Sequence, residues 1–132
     1  MSAPPKDPIR ALVVDDGHMN RRLCERMLRH LHFEAITAAD AHEAREILLK
    51  QPVDVVFTDV DLPDMSGDDA IQMFRDAAAR TNPDREHAVP IVAVSGAALG
   101  DDREDYLAAG FDDYIAKPVS VEAFGTCLKR FN

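Results

Sequence analysis

Five short apolar runs alternate along the chain with stretches in which apolar residues recur every three or four positions. The runs span residues 9–14, 34–38, 53–58, 90–94 and 113–116. Those at 9–14, 53–58 and 90–94 are nearly continuous in apolar residues, the pattern of strands buried on both faces. The run at 34–38 is half polar, which suits a sheet edge, and the one at 113–116 is the weakest. Between the runs, Met19, Leu23, Met27, Leu28 and Leu31 fit one face of a first helix, with the Leu and Met positions as core. Asp40 with Glu43 three later resembles a capping box opening a second helix through Ala44, Ile47 and Leu48, which Pro52 closes. Ser66 caps a third helix with Ala70, Ile71, Phe74 and Ala78 inward, and a longer polar connection follows over 80–89. A fourth helix runs from near Asp102 to Ala109 with Gly110 just past its end, and Ser120 caps a fifth carrying Val121, Phe124, Leu128 and Phe131.

Strict alternation of strand and helix predicts one parallel sheet covered on both faces, joined by right-handed crossovers. The fold class is therefore α/β, a flavodoxin-like three-layer α/β/α with a five-stranded parallel sheet. Central character in runs one, three and four gives the order 2-1-3-4-5. That order puts strands one and three side by side where the winding reverses, and open α/β sheets bind ligands there, outside the carboxyl ends of their strands. Those ends carry Asp15 and Asp16, Asp59, Ser95 and Lys117.

Composition narrows the classes. With 132 residues the chain suits one core and is short for two ordinary domains, so 9–132 reads as one domain behind a loose tail or cut linker at 1–8. Apolar residues at 46% and charged residues at 30% argue against wholesale disorder. A net charge of −9 disfavours direct binding to nucleic acid or an anionic membrane, and suits a metal cation or basic partner, or simply a solubilising surface. Cys24 and Cys127 lie in separate helices without metal spacing, and His18, His30, His32, His42 and His87 show no ligand spacing among themselves. No signal core or membrane-length apolar run is visible, so a cytoplasmic location is expected by default.

Carboxylates gathered at neighbouring strand ends repel: a like-charge pair about 4 Å apart at an effective dielectric near 20 costs roughly 4 kcal/mol. A hard cation relieves this, since Mg²⁺ commonly uses one or two carboxylates with water and a phosphate oxygen. A raised carboxyl pKa is the other remedy. Lys117 adds a point charge and Ser95 a hydroxyl, the groups a transferring phosphoryl needs, and a carboxylate such as Asp59 is a competent covalent acceptor.

Taken together, Val13-Val14-Asp15-Asp16, Thr58-Asp59 with Pro63 and Gly67, Val94-Ser95-Gly96, and the run from Ala109 to Pro118 resemble the receiver domain of two-component response regulators and hybrid histidine kinases. The likeness covers roughly residues 10–131. It implies that Asp59 is the phosphoacceptor for a histidine kinase or histidine phosphotransfer protein, with Mg²⁺ or Mn²⁺ as cofactor. It implies Asp15, Asp16, Asp59 and the backbone carbonyl of Asp61 as metal ligands, Lys117 as the phosphate-pairing lysine, Ser95 as the switch hydroxyl and Tyr114 as the switch aromatic. The surface that shifts is formed by the fourth helix, fifth strand and fifth helix, where a downstream protein, the chain's own kinase or a second copy docks. Such a domain is a switch that catalyses its own phosphorylation and dephosphorylation, and not a metabolic enzyme.

Two details depart from the usual pattern. Gly17 follows the acidic pair where many members carry a larger residue, so a looser loop is expected there, and the acidic side chain of Asp61 is uncommon at its position. Two rivals stand beside the main reading. Asp59-Val60-Asp61 also resembles the DxD of haloacid-dehalogenase-type phosphatases, in which the second Asp is the acid/base. A receiver-like module that binds partners without phosphorylation is the other.

Overall fold

The near-continuous apolar runs pair side by side because each can bury both faces only inside a sheet covered by helices. The computed structural model describes residues 9–81, 83, 88–96 and 103–130, apart from the side chains of Asp68 and Arg103. In chain order the elements are β1 (Arg10–Val14), α1 (His18–His30), β2 (Glu34–Ala38), α2 (Ala41–Lys50), β3 (Val55–Asp59), β4 (Asp61–Leu62), β5 (Met65–Ser66), α3 (Gly67–Thr81), β6 (Ile91–Ser95), α4 (Arg103–Ala109), β7 (Asp113–Ala116) and α5 (Val121–Lys129). The main sheet is parallel with order β2-β1-β3-β6-β7. This is the expected 2-1-3-4-5 once the small β4-β5 hairpin is set aside. Among the described residues, no helix is long and apolar enough to cross a membrane. The tail at 1–8, Asp102, Phe131 and His87 lie outside the described residues.

The pleat sends alternate residues to opposite faces. Leu12, Val14, Val56, Ile91 and Ala93 pack with Leu48 of α2 and Ile71 and Phe74 of α3. Ala11, Val13, Val55, Phe57, Val92, Val94 and Ile115 pack instead with Cys24 and Leu28 of α1 and Phe124, Cys127 and Leu128 of α5. Phe57 and Phe124 meet edge to face, ring centroids 4.9 Å apart at 89°.

The expected caps are present. Asp40 accepts from the Glu43 amide at 2.8 Å, while the Glu43 carboxylate reaches the amide of Ala39 at 3.2 Å, one residue before the usual partner of a capping box. Ser120 accepts from the Ala123 amide at 3.1 Å. Gly110 ends α4 at φ +113°, a left-handed conformation that disfavours any side chain.

One expectation is corrected, and one segment is more ordered than its sequence suggests. The inward face of α1 is set by Cys24 and Leu28, whereas Met19 is 79% and Leu23 42% exposed. Met19 and Leu23 lie along a line displaced from the core stripe by one position, and Leu107 of α4 is likewise exposed. The loop after Asp59 is also more ordered than a simple Pro-Gly turn. Asp61 and Leu62 pair antiparallel with Ser66 and Met65, and the Gly67 amide donates to the carbonyl of Val60 at 3.0 Å. A Cβ on Gly67 would stand 2.9 Å from that carbonyl oxygen, so the closure requires glycine.

Candidate functional site

The carboxyl ends of β1, β3 and β7 converge because the ladders run on past the strands. Asp15 donates its amide to Ala38 O at 3.0 Å, and Lys117 donates its own to Ser95 O at 2.8 Å. One carboxylate oxygen from each of Asp15, Asp16 and Asp59 lies within 4.8 Å of the others. Lys117 Nζ stands 3.1 Å from Asp15 Oδ2 and 3.4 Å from Asp59 Oδ2. The structure thus brings together four residues singled out from the sequence: Asp15, Asp16, Asp59 and Lys117. Asp61 donates its amide to Asp59 Oδ1 at 3.2 Å, but its exposed carboxylate is outside the cluster, contrary to what an acid/base partner in the DxD reading would need.

Asp15 is the most constrained of the three acids, with 3% of its surface exposed. Its carboxylate accepts from the Gly17 amide at 2.8 Å and from Asn20 Nδ2 at 2.5 Å. Gly17 leaves room for that carboxylate: a Cβ there would sit 3.2 Å from Asp15 Oδ1, so a larger residue would crowd it. Asn20 was not singled out from the sequence, although an Asn one turn into the helix after an acidic pair is a usable signal. Burial opposes the Lys117 charge, but the hydrogen bond and attraction of Asp15, then of Asp59, more than offset it and hold the ammonium above its usual range. Burial, then the Asp15 charge, push the Cys24 thiol up to about 11, partly countered by Lys117, so it stays a protonated core group.

One ammonium against three carboxylates leaves the pocket short of positive charge. The all-oxygen donor set on rigid strand ends, with Asp16 exposed and Asp59 half-buried, fits a small hard cation.

The pleat divides the remaining groups. By alternation, Asp15, Asp59 and Lys117 lean toward the α1/α5 face with Val13, Phe57 and Ile115, whereas Ser95 leans with Ala93 toward the α2/α3 face. Ser95 is buried, and the hydroxyl of Tyr106 on α4 donates to its Oγ at 3.0 Å. Tyr106 in turn stacks on Tyr114, centroids 4.5 Å apart and planes 4° from parallel. Tyr114 also lines an open cavity of about 360 Å³ between β7 and α5. At the rim, Asp64 at the hairpin tip accepts from the amides of Ala41 and His42 at 3.0 and 3.1 Å and contacts His42 Nδ1, tying the hairpin to the start of α2. Burial raises the Asp64 pKa, but these donors outweigh it and lower the carboxyl to about 2.

Known proteins share this architecture. Over 127 residues the chain is 33% identical to the sensor histidine kinase RcsC of Salmonella typhi, covering 96% of this chain and 13% of that protein. The chain thus spans about an eighth of that relative's length. The crystal structure of the receiver domain of sensor histidine kinase PA1611 from Pseudomonas aeruginosa PAO1, with a magnesium ion coordinated in its active site cleft, is 34% identical, with a TM-score of 0.76 over 95% of this chain and 98% of that one. The co-crystal structure of the Saccharomyces cerevisiae histidine phosphotransfer protein Ypd1 and the receiver domain of its downstream response regulator Ssk1 matches at 26% identity and TM-score 0.78, over 94% and 88% of the two chains. The family model for the response regulator receiver domain matches residues 11–129, and to that family the chain belongs.

Proposed function

We propose that this chain takes a phosphoryl group from a phosphohistidine onto Asp59 and thereby switches a partner-binding face. The observation that carries the reading is the meeting of Asp15, Asp16 and Asp59 with Lys117 at one sheet edge. In the transfer a carboxylate oxygen of Asp59 forms the P–O bond as the P–N bond to the donor imidazole breaks, and the departing ring takes up a proton from water. Mg²⁺ or Mn²⁺ held by Asp15, Asp16, Asp59 and the backbone carbonyl of Asp61 supplies charge neutralisation there. Lys117 adds a second positive charge against the phosphoryl oxygens, and the Ser95 hydroxyl donates to one of them. Tyr114 follows Ser95 and carries the change outward. The magnesium in the PA1611 receiver and the Ypd1 partner in the Ssk1 complex support the cation and the kind of donor, a histidine kinase or histidine phosphotransfer protein.

The face formed by α4, β7 and α5 receives a downstream protein, the chain's own kinase or a second copy. The domain works in the cytoplasm as a switch, catalysing its own phosphorylation and hydrolysis without turning over a metabolite. Incubation with acetyl phosphate and Mg²⁺, followed by intact mass, tests this directly. One labile phosphoryl adduct is expected, and Asp59→Asn abolishes it. An adduct that survives the substitution moves the site elsewhere, no adduct favours a binding-only module, and steady phosphomonoester turnover lost in Asp61→Asn favours the phosphatase reading.

A further inference from the structure

The Tyr106 contact is not used by the chemistry described so far. Its hydroxyl donates to Ser95 Oγ at 3.0 Å, on the side of the sheet away from the lean of Asp59 and Lys117. A serine side chain has one rotatable bond to its hydroxyl and three staggered positions for it. The hydroxyl that meets Tyr106 must therefore turn before it reaches a group on Asp59. The ring of Tyr106 is fixed from both sides, stacked on Tyr114 and edge to face with Phe111 at 6.2 Å and 65°. The phenol thus holds its place, and the group that turns is the Ser95 hydroxyl.

We propose that Tyr106 is a positioning residue that restrains the switch: it holds the Ser95 hydroxyl in the resting orientation, and phosphorylation of Asp59 must break that hydrogen bond. This rests on the reading of Ser95 as a donor to the phosphoryl group. The restraint links β6 to α4 through Ser95 and to β7 through the Tyr106–Tyr114 stack, so its release loosens two of the three elements of the docking face together.

Tyr106→Phe keeps the ring and the stack and removes only the oxygen. With acetyl phosphate and Mg²⁺, the rate of adduct formation on Asp59 should rise about fivefold in this variant, the effect of losing one hydrogen bond of ordinary net strength. Ser95→Ala should slow the reaction, and adding Tyr106→Phe to it should change nothing more, because the tyrosine acts only through the serine. The sequence holds two tyrosines and no tryptophan, so intrinsic emission comes from the stacked pair and should change as the adduct forms in the wild-type chain.

The failures separate. An Asp59 adduct that depends on Ser95, but forms no faster in Tyr106→Phe or leaves the emission unchanged, overturns the restraint alone. A rate indifferent to Ser95→Ala overturns the donor role of Ser95 and the restraint with it. A chain that takes no adduct on Asp59 overturns the phosphoacceptor reading and, with it, this proposal.

Discussion

At Asp59, one side chain is asked to tolerate two neighbouring carboxylates for the sake of reactivity. Asp15 and Asp16 repel it, Lys117 attracts it at 3.4 Å, and the repulsions outnumber the attraction. Asp59→Asn should therefore raise the thermal midpoint in the absence of divalent ions, by an amount equivalent to about 1–2 kcal/mol once solvent screening is allowed for. Mg²⁺ should raise the wild-type midpoint, by about 1.4 kcal/mol at ten times its dissociation constant, and should act less on the variant. A midpoint lowered by Asp59→Asn would mean that Lys117 alone neutralises the pocket. At this scale the sequence was informative about Asp15, Asp16, Asp59 and Lys117, because each ends an apolar run and strand order alone brings such ends together. It was silent about Tyr106 and hinted at Asn20 only through its place after the acidic pair. Their partners are fixed by side-chain directions in helices, and a tyrosine at helical spacing looks the same whether it fills space or grips a hydroxyl.

Among the elements, the least legible was the hairpin of β4 and β5. Strands of two residues carry no periodicity, so only Pro63 and Gly67 marked the place, and the reason for Gly67 emerged from its approach to the carbonyl of Val60. The caps were legible because Asp40 and Ser120 act on amides three residues away, within reach of a sequence pattern. The face of α1 was misjudged because a helical stripe one position off predicts nearly the same spacing, and only packing tells Met19 from Cys24. Asp64 gives the hairpin a measurable role. Its carboxyl pKa of about 2 lies below the ordinary Asp value of about 3.9, so its stabilisation is full above about pH 4 and is lost as pH falls toward 2. Thermal midpoints of Asp64→Asn should lie below wild type at pH 7 and converge with it as pH approaches 2. A constant gap across that range would locate the effect in packing and not in charge.

Over the whole molecule, the two apolar clusters draw on opposite faces of the sheet, and the α1/α5 side includes the large buried rings of Phe57 and Phe124. Phe124 is fully buried and its ring packs edge to face on Phe57, holding α5 on β3. Phe124→Ala should cost about 3–5 kcal/mol, a large part of the stability of a domain this size, and the urea midpoint would report it. A loss under about 1 kcal/mol would mean that α5 settles into the vacated space. The strand order and the two-sided burial were legible because they follow from alternation and apolar continuity. Which helix covers which face was not read from the sequence; it emerged from the packing of α2 and α3 on one side and α1 and α5 on the other.

Cys24 and Cys127 lie buried on that same α1/α5 side, and the thiol of Cys24 is held protonated by its surroundings. An alkylating reagent can capture either sulfur only during the moments when a helix lifts from the strands. The pace of labelling in the folded protein is thus a native stopwatch for breathing of one layer, read without introducing any foreign probe.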